Sequence, residues 1–449
     1  MDLQIMQPRI ATAADGVAPT SFESLPQPLA LRILALLPAD SRLLAAAVCR
    51  VWRAALADPA LWTRLDLTAE SGLAKPYFVW SDALLCAAAA RAGGQLAALR
   101  VSAQRFQAHD SLPAVLTANA ATLRELTVCT EATDTPPTAE TLAELLRAAP
   151  GLRLLEACVR CDAAEALPLL RQKAPWGPLR LKRLELHRLF TRGDSNWHKL
   201  ADGLAAHTSL EVVMCAGSWP ERAGADVLVG ALLSLPHLRC LTLISCPSAS
   251  ALARLLGCAA LKSLRVQCYA ILEVDSANAL SDALRTNTQL ETLEVHNADF
   301  WHDIDFATAL LATLQAHPSL RLLSLKENTV RPEHAAAAGA ALGALITHSP
   351  TLTSLDISYC RLCDAGMGPI IEALPSARNL HTLNCARMSD AFVGERLLPA
   401  VAACAPLCTL LVEGGLAADE VQMLMKQRCT DVSGGGCWAA GWHAFAGRR

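Results

Sequence analysis

The chain repeats one short apolar pattern twelve times, and this repetition limits the possible fold more than any other feature. Each copy reads Leu-x-x-apolar-x-apolar, and successive copies begin 23 to 32 residues apart. The copies begin at Leu96, Leu123, Leu152, Leu181, Leu210, Leu238, Leu261, Leu290, Leu320, Leu352, Leu380 and Leu407. Self-similarity at such a period indicates a stack of equivalent units, each burying its apolar side against its neighbours.

The spacing between copies leaves room for one helix per repeat. Most copies follow a stretch rich in Ala and Leu, such as residues 141–148 or 226–233. The pattern predicts a short strand at each copy and a helix that returns the chain to start the next strand in parallel. Strands stack about 4.8 Å apart, whereas helices need about 10 Å. We therefore expect a curved array with its strands on the concave face and its helices on the convex face.

With this period and helical crossover, the array resembles the leucine-rich repeat of the ribonuclease-inhibitor-like class. The resemblance implies an α/β solenoid of about 12 repeats across residues 69–415, including an N-terminal cap. In that family the residue eight positions after the first Leu often bonds the turn backbone. Here Asn328, Cys246 and Cys360 fit that position, but most copies have other residue types. The turn geometry should therefore vary along the array.

A different pattern precedes the repeats, with dense apolar residues and prolines at helix boundaries. A first helix should open after Leu25-Pro26, where Pro28 falls in its first turn at little cost. Pro38 should stop it, and Asp40 is a candidate cap for a second helix. A unit this small with so many large apolar groups should bury a face against something outside itself. The alternative is a simple N-terminal cap for the repeats.

The ordered apolar positions of this unit resemble the F-box motif along its full length. They are Leu25-Pro26, Leu29, Ile33, Leu36-Leu37-Pro38, Val48-Cys49, Trp52-Arg53, Asp58-Pro59, Leu61-Trp62 and Leu65-Asp66-Leu67. The resemblance implies a three-helix F-box at residues 22–68 that docks on a Skp-type adaptor and through it on a cullin. The adaptor contacts implied are Leu25, Pro26, Leu29, Ile33, Pro38, Val48 and Trp52. We expect residues 1–21 to be a disordered tail and 416–449 a C-terminal cap with a disordered tail.

Composition excludes several classes of protein. No apolar run approaches the roughly 20 residues of a membrane helix, so we expect no membrane partner. The formal net charge is -3 with no basic block, which argues against a nucleic-acid partner. The first residues lack the basic-then-apolar pattern of a secretion signal. We therefore expect a cytoplasmic or nuclear protein, or both, whose 17 cysteines are free thiols.

No catalytic or metal-binding constellation is present in the sequence. It contains no P-loop, G-x-S-x-G or H-E-x-x-H motif. A GTPase-activating repeat protein would need an arginine finger, which one sequence cannot single out. The pairs Cys158/Cys161 and Cys360/Cys363 should lie seven strands apart, about 34 Å, too far to share a zinc ion. Cys129 and Cys158 should be neighbours on adjacent strands yet unlinked. We expect no metal, no cofactor and no enzymatic activity.

The two resemblances together imply the substrate-recognition subunit of an SCF-type ubiquitin ligase. The F-box would bind the Skp-type adaptor, and the repeats would bind an unknown target protein. The alternatives are a repeat scaffold that works outside any ligase, or an effector that mimics an F-box.

The candidate target site combines an uncharged patch on the concave face with a polar and aromatic rim. Residues two, four and six positions after each first Leu face the concave side. In repeats five and six these are Val212, Met214, Ala216, Cys240, Thr242 and Ile244. The candidate rim residues are Glu185, His187, Arg188, Trp219, Glu294, His296, Phe300 and Trp301. Large apolar groups inside a charged rim are typical of a binding hot spot.

Overall fold

The structure is a computed structural model of the whole chain, and the placement of its residues is described in eleven segments. These are 25–67, 82–102, 111–129, 144–160 without 145, 180–189, 194–217, 222–244, 249–267, 277–386, 396–407 and 409–411. The expected tails at 1–21 and 416–449 lie outside these segments.

The described chain begins with a helical domain that ends in a strand. It contains α1 (Gln27–Ala35), α2 (Ala39–Ala45), α3 (Arg50–Ala55), a 3-10 turn (Pro59–Trp62) and β1 (Arg64–Leu67). Pro28 lies in the first turn of α1, as predicted. Asp40, the expected cap of α2, lies two residues after the true N-cap position, which Pro38 occupies. Cys49 caps α3, and its Sγ accepts a hydrogen bond from the Trp52 backbone N–H at 3.4 Å.

Each of the twelve predicted copies forms a strand of one parallel sheet. The strands that follow β1 are β2 (Ala98–Ser102), β3 (Glu125–Cys129), β4 (Leu154–Arg160), β5 (Arg180–Leu189), β6 (Val212–Gly217), β7 (Cys240–Ile244), β8 (Ser263–Gln267), β9 (Thr292–His296), β10 (Leu322–Ser324), β11 (Ser354–Asp356), β12 (Thr382–Asn384) and β13 (Thr409–Leu411). All thirteen lie in sequence order. The predicted class, an α/β repeat solenoid after an N-terminal helical domain, is confirmed.

Helices connect most of the strands, as the repeat length requires. They are α4 (Asp82–Arg91), α5 (Ser111–Ala118), α6 (Asp194–Ala205), α7 (Arg222–Leu233), α8 (Ala249–Leu256), α9 (Ala277–Thr286), α10 (Ile304–Gln315), α11 (Ala335–His348), α12 (Asp364–Ala373) and α13 (Leu398–Ala403). Their apolar residues and the inward strand residues form one continuous core. Along β7, buried Leu241 and Leu243 alternate with half-buried neighbours, so one face of the sheet is covered and the other is open.

The register shifts on both sides of β5, once against β4 and once against β6 between Leu186 and Leu189. Leu155 pairs with Leu181, but Glu156 already pairs with Arg183, so Lys182 is an extra residue in a bulge. A bulge adds one residue to one strand and increases the local twist.

The helical domain and the repeats share one hydrophobic core. Strand β1 pairs with β2, placing Leu65 beside Leu99. The Trp62 side chain is fully buried, and its indole N–H donates to the Leu56 carbonyl at 2.8 Å. The Arg91 guanidinium at the end of α4 lies 5.1 Å from the Trp62 ring centroid, a distance at which a cation is attracted to the ring face.

Candidate protein-interaction surfaces

The helical domain exposes apolar side chains that its own core does not cover. Among the described residues, seven large hydrophobic side chains are exposed, and six of them belong to this domain. We call these six the apolar N-terminal face: Leu29, Ile33, Leu36, Leu44, Val48 and Val51. Leu36 is 84% exposed and Val48 68%. Burying such groups against a partner would contribute roughly 1.5–3 kcal/mol for each fully covered side chain.

Two sets of contacts hold this face in place. Leu34, Leu56 and Trp62 are buried beneath it. The Arg42 guanidinium donates to the carbonyls of Leu37 at 2.7 Å and Ala35 at 2.8 Å, and also to that of Leu61. Arg42 therefore satisfies carbonyls at the end of α1 that have no partner within the helix.

The seven residues implied as adaptor contacts differ in their exposure to solvent. Pro26, Leu29, Ile33 and Val48 are exposed, whereas Leu25, Pro38 and Trp52 are half-buried. Trp52 packs against the core, so most of its side chain holds the domain together and little of it is available to a partner. The implied set omitted Leu36, Leu44 and Val51. Spacing could have indicated Leu36, since positions 29, 33 and 36 follow the i, i+4, i+7 period of one helix face.

The uncharged patch expected in repeats five and six is a continuous surface. Val212 lies beside Cys240, Met214 beside Thr242, and Ala216 beside Ile244. All six side chains are half-buried, which is typical of the open face of a sheet. We call this set of six the open-face patch.

Ion pairs lie on both sides of the open-face patch. On β5, the Arg183 Nε donates to the Glu185 carboxylate at 2.7 Å. On β8 and β9, the Arg265 Nε lies 3.4 Å from the Glu294 carboxylate. These neighbouring charges already have partners, so the patch itself is an apolar surface between neutralised pairs.

The expected exposure of two rim aromatics is wrong. Phe300 is 2% exposed and Trp301 fully buried. Their rings pack edge to face with centroids 4.9 Å apart, and Phe306 contacts the other side of Phe300. The turn holding them is fixed by Asn328, whose Oδ1 accepts from the Phe300 backbone N–H at 3.2 Å. They are core residues of the repeat and cannot contact a target directly.

His296 is also not the surface residue expected. Its ring is buried, and Nε2 lies 2.8 Å from the Ser324 hydroxyl. Burial, with a smaller contribution from Arg265, lowers the pKa of His296 to about 4, so the ring is neutral near pH 7. Trp219 and the side chains of His187 and Arg188 lie outside the described part of the chain.

Cysteine geometry gives no metal site among the described residues. No group of three or more His, Cys, Asp or Glu side chains there could hold an ion. Cys360 is buried, and its thiol donates to the Leu325 carbonyl at 3.1 Å, whereas Cys363 is exposed. Cys215 and Cys385 are core residues. Cys161 and the side chains of Cys129 and Cys158 lie outside the described set.

Within the described segments, no helix combines the length and the apolar character needed to cross a bilayer.

Comparison with known proteins identifies the N-terminal domain. Residues 22–68 match the family model described as F-box-like. No curated protein matches the chain. Among solved structures, the leucine-rich repeat-containing protein LegL7 from Legionella pneumophila is similar at 13% identity and a TM-score of 0.29, covering 76% of this chain and 92% of LegL7. The family match and the thirteen-stranded parallel sheet together identify an F-box-like domain followed by a leucine-rich-repeat-like solenoid.

Proposed function

We propose that this chain is the substrate-recruiting subunit of a cullin-type ubiquitin ligase. The F-box-like domain would bind a Skp-type adaptor, and the solenoid would bind the target. The chain would perform no chemistry itself. It would raise the effective concentration of a target near the charged ubiquitin carrier. Work in such a complex would place the protein in the cytoplasm or nucleus.

The observation that carries this proposal is the apolar N-terminal face. F-box domains generally bind Skp-type adaptors, and here six exposed large hydrophobic side chains lie within the matched residues 22–68. An exposed apolar surface is costly in water and typical of a protein-binding site. The shared core with β2 would fix the position of a bound target relative to the adaptor.

The decisive experiment removes the face without unfolding the domain. Leu36→Glu combined with Val48→Glu puts two charges on the most exposed positions. The matched control is Leu411→Glu, because Leu411 is the only other exposed large hydrophobic residue described and lies on β13. We expect the double variant to fail to capture purified Skp-type adaptor in a pull-down, whereas the control variant captures it as the wild type does. The melting temperature of both variants should equal that of the wild type.

Capture of adaptor by the double variant at full strength would refute the adaptor interface. Deleting the whole domain is a poorer test, because it also removes β1 and Trp62 from the core of the repeats. A pull-down from the native cell separates the ligase from other roles. Adaptor together with cullin supports the ligase, whereas adaptor alone supports a scaffold or an F-box mimic.

We assign target binding to the open-face patch, because it is a half-buried apolar surface between neutralised ion pairs. Met214→Glu with Ile244→Glu should abolish target capture. Ser354→Glu with Thr382→Glu is the matched control, since both positions are half-buried on the open face of β11 and β12. Equal target capture by both well-folded variants would move the target site off the patch.

A further inference from the structure

A row of charged residues lies at the N-terminal ends of the strands in repeats four to nine, one residue after the first Leu of each of these repeats. We define the edge row as Lys182, Glu211, Arg239, Lys262, Glu291 and Arg321. Each residue is bonded to the one before it through a backbone N–H and carbonyl, with distances from 2.7 to 2.9 Å. The row is therefore continuous from β5 to β10, because neighbouring members stand at the start of adjacent strands or directly before it.

The edge row repeats the order Lys, Glu, Arg twice. In each triplet the carboxylate pairs with the Lys before it. Lys182 Nζ lies 3.4 Å from Glu211, and Lys262 Nζ lies 2.7 Å from Glu291. The hydrogen bond and the charge of Lys262 lower the pKa of Glu291, which is the expected response of an acid beside a cation. Each triplet therefore carries a net charge of +1, and its carboxylate is ion-paired with the Lys rather than with the Arg; the charge of Arg321 also lowers the pKa of Glu291, but less than Lys262 does.

That positive charge resides on Arg239 in the first triplet and on Arg321 in the second. Both side chains are exposed, and neither makes a hydrogen bond or ion pair with another described residue. They stand three strands apart, which is about 14 Å at the usual strand spacing. Thr353 and His381 continue the hydrogen-bonded row beyond Arg321, so the triplet order ends there.

We propose that the edge row binds an extended acidic segment of a partner protein, with two carboxylates four residues apart. An extended chain advances about 3.3 Å per residue, so four residues span about 13 Å, close to the separation of the two arginines. The segment would cross the strands along the edge and place one carboxylate on each Arg. This inference rests on the proposed function, since it names the chemistry of the target segment beside the open-face patch.

The spacing of the fixed charges favours a sparse acidic peptide over a nucleic acid. A nucleic-acid strand carries a phosphate about every 3.4 Å in duplex form, so several phosphates would face the stretch between the two arginines. Lys262 and Glu291 occupy that stretch and pair with each other, so those phosphates would meet no free cation there and would be repelled by Glu291. A peptide with uncharged residues between its two carboxylates avoids this repulsion.

The test uses the full chain and short fluorescein-labelled peptides of Thr, Ser and Val. One peptide has two glutamates four positions apart, a second has them adjacent, and a third has none. A short oligothymidylate is the nucleic-acid probe. Fluorescence anisotropy at low ionic strength gives each affinity. We expect the four-apart peptide to bind most tightly, and salt to weaken its binding.

Two matched double variants locate the site. Arg239→Gln with Arg321→Gln should weaken binding of the four-apart peptide about tenfold, at about threefold for each exposed contact. Arg254→Gln with Arg285→Gln makes the same change in net charge on α8 and α9 and should change binding less than about twofold. Melting of both variants checks their folding.

Three results would overturn the inference: no peptide binding by the wild type, equal loss in both double variants, or preference for the oligothymidylate. Adaptor capture is measured on the same preparations. Peptide binding without adaptor capture would refute the proposed function and leave the acidic-segment site intact. Adaptor capture without peptide binding would refute the acidic-segment site and leave the proposed function intact.

Discussion

Replacing Asn328 with alanine should destabilise the two turns that follow β9 and β10. Asn328 is fully buried. Its amide donates to the carbonyls of Val295 at 2.6 Å and Leu325 at 2.7 Å, and its Oδ1 accepts from the N–H groups of Ala298 and Phe300 at 2.8 and 3.2 Å. Alanine would leave four buried backbone groups without these partners.

Each such hydrogen bond contributes about 1 kcal/mol net, so the substitution should cost about 3–4 kcal/mol locally. The turn after β9 also contains Asn297 and Asp299 in left-handed backbone conformation, with φ of 49° and 46°. Asn and Asp adopt that conformation more readily than other residues with a Cβ, but at a higher cost than glycine. Loss of the amide should therefore allow the turn to relax and expose Trp301.

Hydrogen exchange of residues 297–301 is the appropriate assay, because repeat arrays need not unfold in one step. A loss of 3–4 kcal/mol corresponds to a decrease in protection of several hundred-fold, on the order of ten-fold for each 1.4 kcal/mol. Asn379→Ala is the control, since the Asn379 amide makes one exposed bond to the Pro350 carbonyl at 2.8 Å. A protection loss below about tenfold at residues 297–301, or an equal loss in the control, would refute this account of the turn.

Gly343→Ala should lower the melting temperature, because a Cβ there would lie 2.7 Å from the Pro369 carbonyl oxygen and force α11 and α12 apart at about 1–3 kcal/mol. The His296 pKa is lowered in the folded state from 6.5 to about 4, so stability should fall as pH drops from about 6.5 to 4 and level off below. A His296→Gln variant should lack that pH dependence, and denaturant titrations across pH measure both. Burial raises the pKa of Cys360 to about 12, so alkylation of native protein should label exposed Cys363 first, as mass spectrometry would detect. We further expect all 17 cysteines to titrate as free thiols in denatured protein, with no zinc by elemental analysis.

The strands could be located from the sequence because each strand needs buried leucines at fixed positions. A residue three positions after the first Leu of a repeat, such as Leu126 or Leu264, must be buried for the repeat to stack. That requirement recurs at a fixed period, so it can be read without knowing the neighbours. The ordered F-box positions predicted the N-terminal domain in the same way. That domain has more large apolar residues than its own core can bury, and the exposure of Leu29, Ile33 and Val48 agrees with this.

The rim of the candidate site could not be predicted in this way. Phe300 and Trp301 follow β9 in a loop, where a local pattern is equally compatible with an inward or an outward ring. Their burial depends on Asn328, which follows Phe300 by 28 residues and bonds its backbone. His296 has the sequence position of an open-face residue, but contact with Ser324 of the next strand buries it.

Sequence alone determined the repeat, the strand positions and the helical domain, because each follows from the spacing of apolar residues along the chain. Tertiary structure alone decided which polar and aromatic side chains face a partner. The bulge at Lys182 shifts the register between β4 and β5. Stacking then brings Arg239 and Arg321 to one edge, although 82 positions separate them. Burial and charge pairing depend on neighbours a full repeat away, and only the folded array brings those neighbours together.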